Sequence, residues 1–323
     1  MLNNKLMFLW QKISPYFSVN KQSNNYLRKF KKYAFYGNKC KDEKQYEAVI
    51  TRWCHTIEKG LSYLNYRAGF GEKNIDALLE AMENYIMDGY SQDAFFFRTA
   101  LCTLNVYIQK NKEYGLFNIE LEKRIHNLGG IPNNVGGIIK FIPKSPNEIK
   151  TMGYKEFFLD RHSLRHFSNE KIEINHVKSA IELAQHTPSA CNRQGWRTRV
   201  INNKKIIQDV LLNQNGNKGF GHEFDKLLVI TSDIRYFNRD REIFQAFIDG
   251  GMYAQSVLNA LHYEHIASVP LSASLNDRQE KNIRSILNLY EAEILILLIG
   301  LGNYPNECQT ARSERKNAEI EII

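Results

Sequence analysis

The chain has 323 residues and a formal net charge of +8, a length that accommodates two domains of about 150 residues each. Its hydrophobic fraction of 43% and charged fraction of 24% are ordinary for a globular protein. The longest apolar run, residues 294–301, is much shorter than the roughly 20 residues of a membrane-spanning helix. The 5 cysteines lie scattered without a CxxC pair, which argues against a disulfide framework or a zinc site and favours the cytoplasm. We therefore expect no bound metal and no transmembrane segment.

The N-terminus combines a lysine with a short apolar patch, residues 6–10, and lacks the longer apolar region and cleavage site of a signal peptide. This pattern predicts a short amphipathic helix that packs on the body of the protein or touches a partner. A role at a membrane surface is the alternative. The other basic residues are dispersed, and no RNA-binding or helix-turn-helix signature accompanies them. Phosphate-bearing ligands or anionic substrates account for the charge, so we expect no nucleic-acid partner.

Residues 1–128 are predicted to form a helical N-terminal domain. Apolar residues recur at helical spacing over residues 46–57, 74–86 and 91–110, and Ser91 is the predicted N-cap of the third helix. His55 and Glu58 are interpreted as part of an exposed helical end that Gly60 stops, rather than as metal ligands.

Residues 129–150 concentrate glycine, proline and asparagine, which predicts a linker or crossing arm. From residue 151 to 323 the pattern alternates between helical periodicity and short apolar runs, which is typical of an α/β or α+β sandwich. Helices are predicted over residues 171–187, 204–213, 241–263 and 277–290, and strands over residues 197–201, 226–231, 266–269 and 293–300.

The segment from Asp160 to Phe167 contains two arginines four residues apart, Arg161 and Arg165, with Ser163 between them. A helical turn or tight bend would bring the two guanidinium forks onto one phosphate, and the serine hydroxyl adds a further hydrogen-bonding group. An arginine pair on a solvated face is the alternative.

A second polar cluster follows the helix predicted to end before Pro188, because proline disfavours helical geometry in the preceding residue. Ser189, Asn192 and Gln194 then stand in an irregular loop ahead of a strand. Loops on a rigid scaffold often carry binding groups, although a polar turn between helix and strand is the alternative.

Taken together, the two clusters resemble the opening motifs of the nitroreductase family of FMN enzymes. Arg161-His-Ser-Leu-Arg165 is followed, about 25 residues on, by Pro188-Ser-Ala-Cys-Asn-Arg-Gln194. Residues 249–261 resemble the family's long central helix, and residues 293–302 and 312–315 resemble its last strand and closing basic segment. The resemblance implies an α+β fold, a three-layer sandwich with helices around a mostly antiparallel sheet, and a homodimer with two FMN sites at its interface.

The resemblance also implies roles for particular residues. The segment 161–165 would grip the FMN phosphate and ribityl chain, and the C-terminal arginines would complete the phosphate site. The loop 188–194 would meet the flavin across the dimer interface, and residues 270–272 fall where the family places a backbone N–H near the reactive flavin nitrogen. The implied cofactor-binding residues are Arg161, His162, Ser163, Arg165, Pro188, Ser189, Ala190, Asn192, Gln194, Pro270, Leu271, Ser272, Arg312 and Arg315.

The implied activity is ping-pong hydride transfer from NADH or NADPH through FMN to an electron-poor small-molecule acceptor. Such chemistry requires no acid or base from the protein, so no catalytic residue is assigned. Two alternatives remain open. One keeps the flavin but acts on a specific metabolite, since residues 55–62 and 68–71 resemble longer nitroreductase-like proteins associated with bacterial surface-polysaccharide synthesis. The other is a non-catalytic flavin-fold protein whose helical N-terminal half binds a partner.

Overall fold

The computed structural model describes residues 2–34, 40–130, 132 and 134–323, without the side chains of residues 2–13 and 15. Short 3₁₀ turns aside, the described residues form the following elements in chain order: α1 (Leu2–Tyr33), α2 (Glu43–Leu61), α3 (Glu72–Met87), α4 (Phe95–Glu113), α5 (Ile119–Asn127), β1 (Ile138–Phe141), α6 (Pro146–Thr151), α7 (Tyr154–Asp160), α8 (Ile174–Ala184), β2 (Trp196–Ile201), α9 (Lys204–Leu211), β3 (Lys226–Asp233), α10 (Gln245–Tyr263), β4 (Ala267–Ser272), α11 (Asp277–Leu287), β5 (Glu293–Gly302) and β6 (Cys308–Ala311).

The chain divides into two compact units, each built from two stretches of sequence. Unit 1 combines Met1–Ala34 with Pro143–Pro305, and unit 2 combines Phe35–Ile142 with Asn306–Ile323. This division differs from the three consecutive ranges predicted from the sequence, because the first helix groups with the sheet-containing unit and the C-terminal segment with the helical one. The predicted linker, residues 129–150, contains β1 and most of α6, while its residues 131 and 133 lie outside the described part of the chain.

Unit 1 is organised around an antiparallel four-stranded sheet in the order β2-β3-β5-β4. All eight residues of β3 are buried, which fits a strand covered on both faces. On one face, Leu228 and Ile230 pack with Tyr253 and Val257 of α10 and with the apolar stripe of α8. The alternating residues of β3 point to the other face, where α9 packs against β3 and α11 against α9. This arrangement confirms the predicted α+β class with helices around a mostly antiparallel sheet.

Unit 2 has a separate core formed mainly by α2, α3 and α4. Its two strands, β1 and β6, pair antiparallel, with Ile138 opposite Ala311. The chain reaches β1 through Gly136 and Gly137, which cross α4 so closely that a Cβ on Gly136 would lie 2.4 Å from the Thr99 carbonyl oxygen. The Gly137 N–H donates to Glu58 Oε1 at 3.1 Å and to Thr103 Oγ1 at 2.9 Å. The glycines of this segment therefore serve a close backbone crossing.

Two helix ends differ from the sequence-based expectation. The helix predicted over residues 91–110 is α4, and it begins at Phe95 rather than at Ser91, because Ser91 opens a turn in which its hydroxyl accepts from the Asp93 N–H at 3.2 Å. The helix α2, predicted to stop at Gly60, continues through this glycine to Leu61. A Cβ on Gly60 would lie 2.0 Å from the Phe70 ring, so this glycine makes room for an aromatic ring and does not stop the helix. Glu58 is accordingly buried, in contrast to the exposed helical end that was predicted.

The N-terminal helix, α1, is 32 residues long, far longer than the predicted short helix. It packs in unit 1 against the turn at residues 240–242, and the Tyr26 ring contacts the Phe244 ring with centroids 5.0 Å apart. Among the helices of the described residues, none has the length and apolar character that crossing a membrane requires.

We expect Gly60→Ala to destabilise the protein by about 1–3 kcal/mol, because the added methyl group overpacks a filled site. The Phe70 ring cannot readily yield, since it is held between the Tyr66 and Tyr107 rings. Thermal unfolding followed by circular dichroism measures the change. The matched control is Gly251→Ala, another helical glycine, with no atom within 4 Å of an added Cβ, which should stabilise by about 0.5–1 kcal/mol. Equal midpoints for the two variants would contradict the role assigned to Gly60.

Candidate functional site

The segment that carries Arg161 and Arg165 lies along the outer edge of β4. Ser163 forms a parallel bridge with Ser268, and the Leu164 N–H donates to the Ser268 carbonyl at 3.1 Å. Leu164 is buried and fastens the segment to the body of unit 1. The arginine segment is therefore an added edge of the sheet, rather than a helical turn.

The far end of this segment is held by Glu223. One carboxylate oxygen, Oε2, lies 2.8 Å from His166 Nδ1 and accepts the Phe167 N–H at 3.0 Å. The Phe167 ring fills the space above Gly302, where a Cβ would lie 2.5 Å from the ring. Both ends of the arginine segment are thus tied to the body of unit 1.

The two arginines occupy different environments. Arg161 directly follows the last residue of α7 and is half-buried. Arg165 is buried; its guanidinium group lies over the Phe220 ring, 5.9 Å from the centroid, and donates to the Ser163 carbonyl at 3.4 Å. The His162 ring nitrogen Nδ1 lies 2.8 Å from the Asp160 carbonyl oxygen. Two cationic groups, a hydroxyl and an imidazole therefore occupy one short stretch of backbone.

A buried polar cluster anchors the residue just before Arg161. Asp160 Oδ2 lies 3.4 Å from His262 Nε2, and the other ring nitrogen of His262 is 2.9 Å from the Tyr304 hydroxyl. Burial opposes ionisation of Asp160, but its interaction with His262 outweighs this effect and holds the pKa of Asp160 below its ordinary value. His262 does lie in the last turn of α10 as predicted. It also links α10 to the start of the arginine segment, a contact the sequence did not indicate.

The loop from Pro188 to Gln194 begins with a short 3₁₀ turn, Ala190–Asn192. Three of its residues have left-handed backbone angles: Cys191 (φ 53°), Asn192 (φ 54°) and Gln194 (φ 50°). Such angles are unfavourable for residues other than glycine. Inside the loop, the Gln194 N–H donates to Ser189 Oγ at 3.0 Å and its side-chain amide donates to Asn192 Oδ1 at 3.1 Å. The loop exposes Asn192 and Gln194 while bonding them to each other.

Contacts from outside hold this strained loop in place. The buried Asp249 of α10 accepts the Ala190 N–H at 3.2 Å. Arg193 forms a bidentate pair with Glu242, at 3.0 and 2.7 Å, and its guanidinium group lies over the Phe237 ring. The hydrogen bonds from Arg193, reinforced by the backbone N–H groups of residues 238 and 239, lower the pKa of Glu242 to about 2. Glu242 is therefore charged at neutral pH and keeps the loop tied to the segment that precedes α10.

The third predicted region, residues 270–272, lies in β4. The Ser268 carbonyl points away from β5, since it accepts from Leu164, and pairing alternates along an antiparallel strand. Pro270 and Ser272 therefore also direct their backbone groups outward, as the bond from the Gln214 amide to the Ser272 carbonyl confirms. Pro270 has no N–H, which suits an edge strand. Ser272 is thus the residue of the three whose N–H faces away from the sheet.

The predicted C-terminal arginines, Arg312 and Arg315, lie in unit 2. Arg312 donates to Glu314 Oε2 at 2.7 Å, and its backbone N–H donates to the Gly137 carbonyl at 3.0 Å. Arg315 donates to the Ser313 carbonyl oxygen. Both arginines form these hydrogen bonds within unit 2.

The predicted site residues of unit 1 lie in two groups at opposite edges of the sheet. The arginine segment and residues 270–272 meet at the β4 edge, whereas the loop 188–194 leads into β2, the strand at the other edge. Three strand spacings, roughly 14 Å, separate the two edges. Within one copy of the chain, the predicted site residues of unit 1 therefore form two separate groups.

The sequence did not predict the residues that hold the arginine segment and the loop 188–194 in position. These five residues, Asp160, Glu223, Glu242, Asp249 and His262, all act through contacts with residues at least 49 positions away in the sequence. One of these residues did carry a sequence signal: Asp249 begins the segment 249–261, which resembles the family's long central helix. Within the described residues, no group of three or more His, Cys, Asp or Glu side chains is arranged to hold a metal ion.

Comparison with known proteins supports the resemblance. Residues 159–215 match the model of the nitroreductase family, a range that contains both the arginine segment and the loop 188–194. The resemblance predicted from these two motifs is thereby confirmed over the segment that carries them. A search of curated proteins found no match.

Several solved structures are similar to about half of this chain. A nitroreductase-like protein from Streptococcus mutans has 18% identity and a TM-score of 0.45, covering 53% of this chain and 98% of its own. A putative NADH oxidase from Clostridium acetobutylicum has 18% identity and a TM-score of 0.43, covering 50% and 94%. An FMN-dependent nitroreductase from Clostridium difficile has 18% identity and a TM-score of 0.41, covering 51% and 91%.

We expect Glu242→Gln to speed hydrogen exchange at the backbone amides of residues 190–194 by about two- to fivefold, the range set by the loss of one partly exposed ion pair. Exchange read out by mass spectrometry measures this directly. Glu280→Gln, which removes the ion pair to Arg284 on α11, is the matched control and should leave the loop unchanged. Unaltered exchange at residues 190–194 in Glu242→Gln would refute the clamping role of Glu242.

Proposed function

We propose that this chain is an FMN-dependent oxidoreductase that takes hydride from NADH or NADPH and passes the electrons to an electron-poor small molecule. The observation that carries the proposal is the arginine segment seated on the β4 edge, which places Arg161, Ser163 and Arg165 beside the strand that ends in Ser272. The family match over residues 159–215 supports the same assignment.

The donor set fits the chemistry of FMN. Arg161 and Arg165 offer guanidinium forks suited to a phosphate, and Ser163 and His162 offer groups that can bond to a polyol. The outward N–H of Ser272 offers a donor for a flavin ring nitrogen. When bound, FMN supplies the redox chemistry by accepting a hydride and releasing electrons to a second substrate.

The residues of the chain would bind this cofactor and orient it. The arginines neutralise the phosphate charge, and the Ser272 N–H would stabilise negative charge that develops on the flavin ring during reduction. Asn192 and Gln194, exposed on their strained loop, would contact the ring of the flavin. Because nucleophilic or acid–base work by a side chain is not needed for hydride transfer, we assign no catalytic residue.

We further propose that the working enzyme is a homodimer in the cytoplasm. The loop 188–194 and the arginine segment lie at opposite edges of one sheet, so a second copy is needed to bring the loop of one protomer to the arginine segment of its partner. Each of two equivalent sites would then draw on both protomers, as a two-fold interface requires. The scattered cysteines are compatible with a reducing compartment.

We expect Arg161→Ala to weaken FMN binding by roughly ten- to a hundredfold, the loss of one charge-assisted hydrogen-bonding group. Titration of the apoprotein with FMN, followed by quenching of flavin fluorescence, measures the affinity. Arg278→Ala, an exposed arginine of α11, is the control and should bind like wild type. A wild-type protein that is colourless and fails to take up FMN would refute the proposed function.

A mixed dimer tests the shared site. Arg161→Ala and Asn192→Ala chains with different tags, each weak in FMN binding as a homodimer, are co-expressed and the heterodimer is isolated. If each site draws on both protomers, one site of the heterodimer is intact and the other carries both changes. We then expect about one tightly bound FMN per dimer. Two weak sites and no tight one would place both groups in the same protomer's site and contradict the proposal.

A further inference from the structure

The positive charge of the protein is concentrated in α1. Residues 2–33 contain seven lysines and arginines and no aspartate or glutamate, so this helix accounts for +7 of the formal charge of +8. The remaining 291 residues are therefore almost neutral in sum. A net charge confined to one helix indicates a surface that attracts an extended anion.

The side chains in the C-terminal part of α1 are largely exposed. Every side chain from Asn24 to Tyr33 is exposed, including the apolar groups Tyr26 (49%), Leu27 (45%), Phe30 (48%) and Tyr33 (63%). We call residues 24–33 the exposed segment of α1. It also carries four cationic residues, Arg28, Lys29, Lys31 and Lys32.

Most cationic residues of the exposed segment lie on the side of the helix opposite its aromatic residues, whereas Lys29 borders the aromatic side. Tyr26, Phe30 and Tyr33 follow one stripe at the spacing i, i+4, i+7. Arg28 and Lys32 form a second stripe, displaced by two residues and so by about 200° around the axis. Exposed aromatic residues combined with a cationic stripe are features of helices that bind the surface of a lipid bilayer.

We propose that α1 docks on the surface of an anionic lipid bilayer. Phe30 and Tyr33 would enter the boundary between headgroups and acyl chains, and the cations would pair with anionic headgroups. A nucleic acid would satisfy the cations, but it offers no apolar environment to the exposed side chain of Leu27. This exposed apolar group favours lipid as the occupant.

The position of α1 links this surface to the loop 188–194. Tyr26 contacts Phe244, and α1 packs against residues 240–242, the turn that contains Glu242, the partner of Arg193. The docked helix would therefore hold this loop of unit 1 near the bilayer. The docking itself does not depend on the proposed flavin chemistry.

The test is flotation of the purified full-length protein with vesicles of phosphatidylcholine alone and with vesicles that contain phosphatidylglycerol. We expect wild type to bind the anionic vesicles, to bind the zwitterionic vesicles much more weakly, and to lose binding as salt is raised. The variant R28Q/K29Q/K31Q/K32Q should bind the anionic vesicles at least about tenfold more weakly. The variant L27S/F30S should also bind more weakly, since it removes the apolar contribution.

The matched control is K73Q/K155Q/K178Q/K205Q, which removes the same charge from exposed positions outside α1 and should bind like wild type. Circular dichroism spectra confirm that each variant is folded. Equal loss of binding in the control variant and in the α1 variant would overturn the proposal, as would binding to a single-stranded RNA probe without binding to anionic vesicles. Vesicle binding is measured without regard to FMN content, so its failure leaves the proposed function untouched.

Discussion

The hydrogen bond from the Leu164 N–H to the Ser268 carbonyl fixes the position of the arginine segment, and the geometry of the candidate site follows from it. An edge strand such as β4 presents a row of backbone groups without partners in the sheet. The segment 163–164 covers part of this row, and Pro270, without an N–H, occupies another part. The chain thereby protects a vulnerable edge and places two arginines on the same edge of the sheet as the outward N–H of Ser272.

The loop 188–194 depends on a different balance of forces. Three residues with left-handed backbone angles within four positions would not persist in an isolated peptide. Asp249 and the pair between Arg193 and Glu242 supply the external contacts that hold them. Both contacts come from α10 or from the segment just before it, so the long helix serves as the common support for the loop at one edge of the sheet. Through His262 it also supports the start of the arginine segment at the other edge.

The two units use glycine in similar ways despite their different architectures. Gly60 admits the Phe70 ring against a helix of unit 2, and Gly302 admits the Phe167 ring against a strand of unit 1. In both places an aromatic side chain rests directly on backbone, which a methyl group would prevent. Unit 2 retains its own apolar core, so the helical part of the chain is a folded body in its own right. The net positive charge of the protein comes almost entirely from α1.

Much of unit 1 was predictable from local patterns. The strands at residues 197–201, 226–231 and 293–300 and the helices around them follow from periodicity, because apolar spacing is set by whichever face each element buries. The two site motifs were recognisable for a related reason: Arg161, Ser163, Arg165 and the Pro188–Gln194 loop act through residue type and short spacing, which a sequence displays directly. The full length of α1 was not predicted, because its polar residues and Pro15 obscure the helical period.

Other features were decided by tertiary structure alone. Two pairings depend on contacts between distant segments that leave no mark in the local sequence. The strand β6 pairs with β1 in unit 2, and His262 contacts Asp160, about 100 residues away. The interpretation of Gly60 as a helix stop was wrong for the same reason: a glycine that ends a helix and one that receives an aromatic ring look alike until the ring is in place. The sequence supplied the chemical groups of the candidate site, whereas the order of the strands divided those groups between two edges of one sheet.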